Sequence, residues 1–196
     1  MDFCEFDDVA VPMYQDQIEA EIANSQMSWF LNHEPTIEGA SARPRDDGEF
    51  RNLVYHVQQG PQPPSPLQAL LMPLLFTYCD RAKLRLNALL SIRVDLLTRT
   101  MVAAEYQSPH VDFAEPHHTC LYHVNESDGD TFVFDQTFPT LSEEDAIRLA
   151  DENRLTIAKR VQVKRGRMFG FRGAFFHASA HPVNHASRIV IVFNFT

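Results

Sequence analysis

The second half of the chain is a succession of short runs rich in Val, Ile, Leu, Phe and Tyr, at 89–97, 100–106, 119–125, 131–135, 155–163, 167–171, 174–178 and 187–195. Turn-forming stretches such as Gln107-Ser108-Pro109, Asp128-Gly129-Asp130, Arg165-Gly166 and His181-Pro182-Val183 separate many of them. Strands of this length and spacing point to a β-sandwich or barrel, in which each run buries a face against a second layer. The segment 142–153 interrupts the pattern. Ser142 is a good helix cap there, and Ala146, Ile147 and Ala150 recur at helical spacing.

The first half reads differently. Tyr14, Ile18, Ile22 and Trp29 predict a helix over 14–29, and the polar stretch 34–50 predicts a surface connection. Leu53, Tyr55 and Val57 alternate loosely over 50–57, consistent with a strand. The proline-rich stretch 61–66 breaks the chain. Ser65 and Pro66 then suit the cap and first position of a helix running to about 81, with Pro73 expected to kink it. The expected plan is α+β, mainly β, as one domain over 1–196. Residues 1–87 form a helical and irregular support, and 88–196 form a barrel.

Length and composition agree with this plan, since 196 residues at 44% apolar content can bury a substantial core. The longest apolar run, 69–76, has eight residues and contains Pro73, far below the roughly 20 needed for a membrane span. The acidic N-terminus lacks the features of a signal peptide. Cys4, Cys79 and Cys120 are odd in number and widely spaced, which argues against a disulfide framework and for a reducing, cytoplasmic setting without membrane partners.

Charge and histidine are distributed unevenly. The net charge of −9 belongs to residues 1–50, which hold twelve acids against two arginines and leave the remainder at +1. Within that remainder, 159–172 carries six Lys or Arg and no acid, so it is either a solvated face or a rim that attracts an anion. Seven of the nine histidines lie between His110 and His185, which marks that region for metal or proton chemistry.

Side chains at i and i+2 of a strand share a face, so His110 and Asp112 can converge on one point. Two histidines and a carboxylate on one face of a metal leave three positions open, the arrangement of non-heme Fe(II) oxygenases. A hydrogen-bonded His–Asp pair at a strand end accounts for the same two residues. Further on, Arg188 opens the apolar run Ile189-Val190-Ile191-Val192-Phe193. A guanidinium at the mouth of a buried strand needs an anionic partner, either a protein carboxylate such as Asp112 or Glu105, or a ligand carboxylate held by its planar fork.

His-Val-Asp at 110–112, the stretch 119–125, 128–134, 164–183 and 187–195 together resemble, in order, the Fe(II)/2-oxoglutarate-dependent dioxygenases. The likeness covers about 88–196 and is strongest to the prolyl-4-hydroxylase-like branch, including small phage-encoded oxygenases. It implies a double-stranded β-helix, a jelly-roll or cupin-like barrel buttressed by the N-terminal helices. It also implies coupling of oxidative decarboxylation of 2-oxoglutarate, giving succinate and CO2, to hydroxylation of a substrate. Carried over residue by residue, His110, Asp112 and His177 are the metal ligands and Arg188 grips the far carboxylate of 2-oxoglutarate. His177, eleven residues before Arg188, fits the family spacing better than His181 or His185. Fe(II), 2-oxoglutarate and O2 are the implied cofactors, with ascorbate as an additional candidate.

Two positions depart from the family. Where members carry a tyrosine for the cosubstrate, this chain has Tyr122-His123-Val124-Asn125, and His123 is the candidate donor. Where AlkB-like nucleic-acid demethylases show a second arginine six residues after the first, this chain has Asn194. The prime substrate is expected to be a protein or peptide side chain such as proline, or a small molecule, with nucleic acid open but not favoured. A cupin-like barrel with non-oxygenase chemistry and an interaction module using the acidic N-terminus are the competing readings. His117, His118 and His185 are expected to be loop or rim residues. Phe171, Phe175, Phe176, Val190 and Val192 are candidates for the barrel wall.

Overall fold

A computed structural model describes residues 2–31, 49–60, 65–100 and 104–196. The strands are β1 (Phe3–Phe6), β2 (Phe30–Leu31), β3 (Glu49–His56), β4 (Leu89–Thr98), β5 (His118–His123), β6 (Thr131–Thr137), β7 (Ile157–Val161), β8 (Met168–Arg172), β9 (Phe175–Ser179) and β10 (Ser187–Phe195). The helices are α1 (Pro12–Ile22), α2 (Pro66–Ala82) and α3 (Glu143–Asp151). A seven-stranded sheet runs β1-β8-β5-β10-β4-β3-β2 and a three-stranded sheet runs β7-β6-β9, with every pairing antiparallel.

Strand alternation explains how the two sheets form a barrel. On β10, Val190 and Val192 join Leu121, Phe169 and Phe171 of the same sheet and Val133, Val161 and Phe175 of the other in one buried cluster. The intervening Ile191, Phe193 and Phe195 pack on the opposite face, with Ile18, Ile22, Leu71, Leu74 and Leu75 of the helices. The period of two thus sends alternate residues to the barrel interior and to the helical layer. Phe176 belongs to neither group. Phe176 and Ala178 face outward against Ala146 and Ala150 of α3, so Phe176 is not part of the barrel wall, while Phe175 and Phe171 are.

The helices follow from local sequence. Leu71, Leu74, Leu75, Tyr78 and Cys79 form one buried stripe of α2, and the helix runs through Pro73. Ser65 caps α2 by accepting from the Gln68 amide at 3.0 Å, and Ser142 caps α3 by accepting from that of Asp145 at 3.1 Å. The helix expected over 14–29 stops at Ile22. The Asn24 side chain accepts from the Gln26 amide at 3.0 Å, and its carbonyl accepts from Met27. This local turn competes with helical bonding and releases Trp29 from the helix.

The predicted strands at 50–57, 89–97, 119–125, 131–135, 155–163, 167–171, 174–178 and 187–195 all have counterparts. The expected connection 34–50 falls, apart from its last two residues, outside the described residues. So do 61–64 of the proline-rich break and 101–103 of the run 100–106, whose remaining residues 100 and 104–106 are not in a strand. Cys4, Cys79 and Cys120 are in no disulfide. Among the described residues no helix is long and apolar enough to cross a membrane.

The charge split resolves within the molecule. Asp2 pairs with Arg172, Glu5 with Lys159 and Arg167, Asp7 with Lys164 and Arg167, and Asp16 and Glu19 with Arg165. Arg160 pairs with Asp130. The whole basic tract 159–172 is therefore neutralised by this chain's own acids and is not a free anion-attracting rim. The Glu5–Lys159 contact joins β1 to β7 and so ties the edges of the two sheets.

Candidate metal and anion site

The site begins with two backbone hydrogen bonds. The segment 104–117 contains no extended strand, but His110 forms an isolated bridge to His177 on β9, each amide donating to the other's carbonyl at 3.0 Å. The imidazoles therefore meet, with ring centroids 4.5 Å apart. Asp112, two residues on, places its carboxylate between them. Oδ1 lies 3.8 Å from His110 Nε2 and Oδ2 3.7 Å from His177 Nε2. One ligand atom from each of the three residues lies within 4.8 Å of the others, and this is the one such group among the described residues.

The protonation chemistry favours a cation. His110 Nδ1 lies 3.1 Å from the Ser108 carbonyl and His177 Nδ1 3.4 Å from that of Phe175. A carbonyl only accepts, so each Nδ1 carries the proton and each Nε2 lone pair is free to face the other ligands. Burial first, then the neighbouring His110, pushes His177 down to about 3, so its ring is neutral near neutral pH. Burial works against a charged Asp112, but Arg93 and the two imidazoles outweigh it and hold the carboxyl well below the usual range. Both Asp112 oxygens and His177 Nε2 are buried without a hydrogen-bond partner. With Oδ1 facing Arg93, the orphaned Oδ2 beside an orphaned nitrogen lone pair forms an acceptor-only set, which a metal ion satisfies and a second acceptor does not.

Arg93 enters from β4. Its Nη1 lies 2.8 Å from Asp112 Oδ1 and its Nε 2.9 Å from Asp95 Oδ2. Asp95 continues to Arg51 at 3.0 Å, Arg51 to Glu49 at 2.9 Å, and Glu49 accepts from Gln107 at 3.0 Å. Sequence reasoning missed this chain of alternating charge. Its signal was present, because Arg93 and Asp95 are an i, i+2 pair of opposite charge inside an otherwise apolar strand.

Arg188 is fully buried on the interior face of β10. Nη1 donates to Ser179 Oγ and Nη2 to Thr131 Oγ1, both at 2.7 Å, and Nε has no partner. Thr131 and Ser179 are themselves cross-strand partners, so the two hydroxyls come from adjacent positions of the facing sheet. Among the described residues no carboxylate lies within ion-pair distance of this guanidinium. Asp112 is taken by Arg93, and Glu105 faces Arg160 at 3.6 Å. Burial pushes Arg188 down to about 10, against the distant pull of Asp95, Glu49 and Asp130. Gly129 makes room for it, since a Cβ there would lie 2.4 Å from the Ala180 carbonyl and 3.1 Å from Arg188 Cδ.

His123 faces the same interior, opposite Val190. It is fully buried, its Nδ1 accepts from the Lys164 amide at 3.4 Å, and its Nε2 has no partner. Burial first and Arg188 second push it down to about 3. Asn194 accepts from Thr119 at 2.8 Å and donates to Ser91 at 3.1 Å, a satisfied buried amide where a second arginine was considered.

The other histidines lie elsewhere. His181 Nδ1 is 3.0 Å from the Thr98 carbonyl, and His181 is absent from the metal-ligating group. His185 is bound by Asp128. His117 is buried, with Nδ1 2.8 Å from the Glu115 carbonyl, and His118 stacks on Phe195, so neither is a freely exposed rim residue.

No protein-family model and no curated protein matches this chain. Solved structures do match. A prolyl hydroxylase from Trichoplax adhaerens, in complex with a hypoxia-inducible-factor peptide, superposes with TM-score 0.60 at 13% identity, over 98% of this chain and 82% of that one. The alpha-ketoglutarate-dependent epimerase SnoN of nogalamycin biosynthesis gives 0.67 at 14%, over 99% and 78%. HygX from Streptomyces hygroscopicus, with nickel and 2-oxoglutarate bound, gives 0.57 at 16%, over 98% and 82%. These likenesses establish the fold as the double-stranded β-helix shared by such structures.

Proposed function

We propose that this chain, as one cytoplasmic domain over 1–196, is an Fe(II)- and 2-oxoglutarate-dependent oxygenase. It couples oxidative decarboxylation of 2-oxoglutarate to hydroxylation of a protein or peptide side chain, proline included. The observation that carries the reading is a pair of complementary vacancies in bonding on one barrel interior. Asp112 Oδ2 and His177 Nε2 have no donor, and Arg188 has no carboxylate partner among the described residues. His110, Asp112 and His177 would hold the Fe(II), which when bound would supply the activation of O2.

The chain's own residues do the rest. Ser179 and Thr131 use two of the five guanidinium N–H groups of Arg188, so its remaining donors can take a carboxylate as a fork. His123, neutral by its surroundings, supports a further hydrogen bond to that cosubstrate through Nε2. Leu121, Phe169, Phe171, Val190 and Val192 form an apolar wall that limits water and unproductive oxidation. The peptide substrate is supported by the likeness to a prolyl hydroxylase that binds one.

The test is anaerobic titration of Fe(II)-loaded protein with 2-oxoglutarate, followed by a screen of proline-containing peptides and small molecules for coupled succinate. One equivalent of 2-oxoglutarate should bind, and a peptide should stimulate succinate release. Metal-loaded protein that binds no 2-oxoglutarate overturns the oxygenase reading. Stimulation by a small molecule alone overturns the peptide assignment.

A further inference from the structure

We propose that Arg93 is a positioning residue for the metal centre, holding Asp112 Oδ1 so that Oδ2 stays turned toward His177. This rests on the metal reading above but concerns a residue that never touches the ion. Three observations carry it. First, Asp112 follows the His110–His177 bridge by two residues and belongs to no strand, so regular strand pairing does not orient its side chain. Second, Arg93 Nη1 engages Oδ1 at 2.8 Å, while Oδ2, 3.7 Å from His177 Nε2, has no hydrogen-bond partner, so the guanidinium holds one carboxylate oxygen and leaves the other free. Third, Arg93 is itself fixed. Asp95 holds its Nε, Arg51 holds Asp95 and Glu49 holds Arg51, so the chain reaches the metal ligand from two strands.

The same chain grips the ligand segment at a second point. Glu49 accepts from the side chain of Gln107, three residues before His110, while Arg93 holds Asp112, two residues after it. His110 therefore sits between two anchors on one charged ladder. The row order of the sheet makes this possible, since Arg93 lies opposite Val192 and Leu53, and Asp95 opposite Val190 and Arg51.

Charge and position make opposite predictions for the loss of Arg93. Coulomb's law says that removing a cation from beside Asp112 should tighten binding of a metal ion. Loss of orientation should weaken it, on the order of 10- to 100-fold for a partner of this kind. The experiment is titration of the metal-free full chain with Mn(II), read by the electron paramagnetic resonance of free and bound ion, without 2-oxoglutarate or turnover. Arg93→Gln should bind Mn(II) about 10- to 100-fold more weakly and broaden the bound-ion signal. Asp95→Asn, which keeps Arg93 but loosens it, should lie between Arg93→Gln and wild type.

Circular dichroism and thermal unfolding establish that each variant is folded. If Arg93→Gln does not fold, Arg93→Lys decides, because an ammonium keeps the charge but cannot serve both carboxylates as a fork. It should still bind several-fold more weakly than wild type. A folded variant that binds Mn(II) as tightly as wild type, or more tightly, overturns the role of Arg93. Wild-type protein that binds no Mn(II) overturns the metal reading itself, and the two failures are thereby distinct.

Discussion

Two arginines point into the same barrel from adjacent strands, and their surroundings are opposite. Arg93 on β4 lies between the carboxylates of Asp95 and Asp112, which overcome its burial and keep it firmly charged. Arg188 on β10 is at least as buried, yet it meets only the hydroxyls of Ser179 and Thr131, and burial lowers its proton affinity. A buried ion pair supported by hydrogen bonds can be roughly neutral for stability, whereas an uncompensated buried charge is costly. The difference teaches that the structure satisfies Arg93 with its own carboxylates and offers Arg188 none among the described residues.

The sharpest way to break the comparison is to remove what each arginine serves. If the proposed function holds, Asp112→Ala should abolish succinate formation, because it deletes a proposed metal ligand and one of the two partners of Arg93. Residual turnover near the wild-type rate would sink the ligand assignment. Truncation of the arginines themselves should split in sign. Arg93→Met strands the buried Asp112 and leaves Asp95 with Arg51 alone, and should cost about 3–5 kcal/mol in chemical denaturation of the ligand-free protein. Arg188→Met replaces an unpaired buried cation with an apolar side chain, and should be neutral or stabilising by about 1–4 kcal/mol. Equal destabilisation by both would show that Arg188 has an internal anionic partner after all.

Ligand linkage gives the complementary readout. Metal-loaded wild-type protein at a hundredfold excess of 2-oxoglutarate over its Kd should gain about 2.7 kcal/mol of stability. Arg188→Met should gain little at the same concentration, although it is the more stable protein without ligand. A full thermal shift in that variant would place the carboxylate elsewhere.

Much of this was legible in the sequence where the information is local. Arg188 was legible as a cation opening a buried apolar strand, and His110 and Asp112 were legible as a converging pair, although an isolated bridge to His177 rather than a strand brings them together. The choice of His177 over His181 rested on spacing in the family that the sequence resembles; in the structure the His110 bridge seats His177 beside Asp112, while His181 turns to the Thr98 carbonyl. What was illegible depends on register and on long separations. Arg93 reaches Asp112 only because the segment 104–117 is bonded along β9, Gln107 to Ser179 and His110 to His177, and no periodicity within either stretch encodes that path. Likewise the acidic N-terminus and the basic tract 159–172 looked like two unrelated surfaces, although Asp7 and Arg167 meet across 160 residues of chain.

The histidine beside Arg188 extends the comparison to pH. His123 is pushed down to about 3, below its ordinary value near 6.5, so between those values the unfolded chain binds a proton that the folded one refuses. Folding stability must then fall as pH drops through that window, by up to about 1.4 kcal/mol per pH unit from this group. His123→Gln cannot take up the proton, so it should flatten the acid limb of stability between roughly pH 6 and pH 4. An unchanged slope in denaturant titrations of the metal-free variant would mean that His123 is charged in the fold, and Arg188 would then share its interior with a second cation.

The surface pairs should give the smallest effect. Asp7, held down to about 2 by its hydrogen bonds to Arg167 and Lys164, is more than a third exposed, so water screens the charges that Arg93 experiences undiluted. Asp7→Asn should cost no more than about 1 kcal/mol, and that cost should shrink in high salt. The loss caused by Arg93→Met should change little with salt, because its carboxylates are buried. Measuring both variants at low and high ionic strength therefore separates the charge that merely ties the N-terminal strand down from the charge that orients the site.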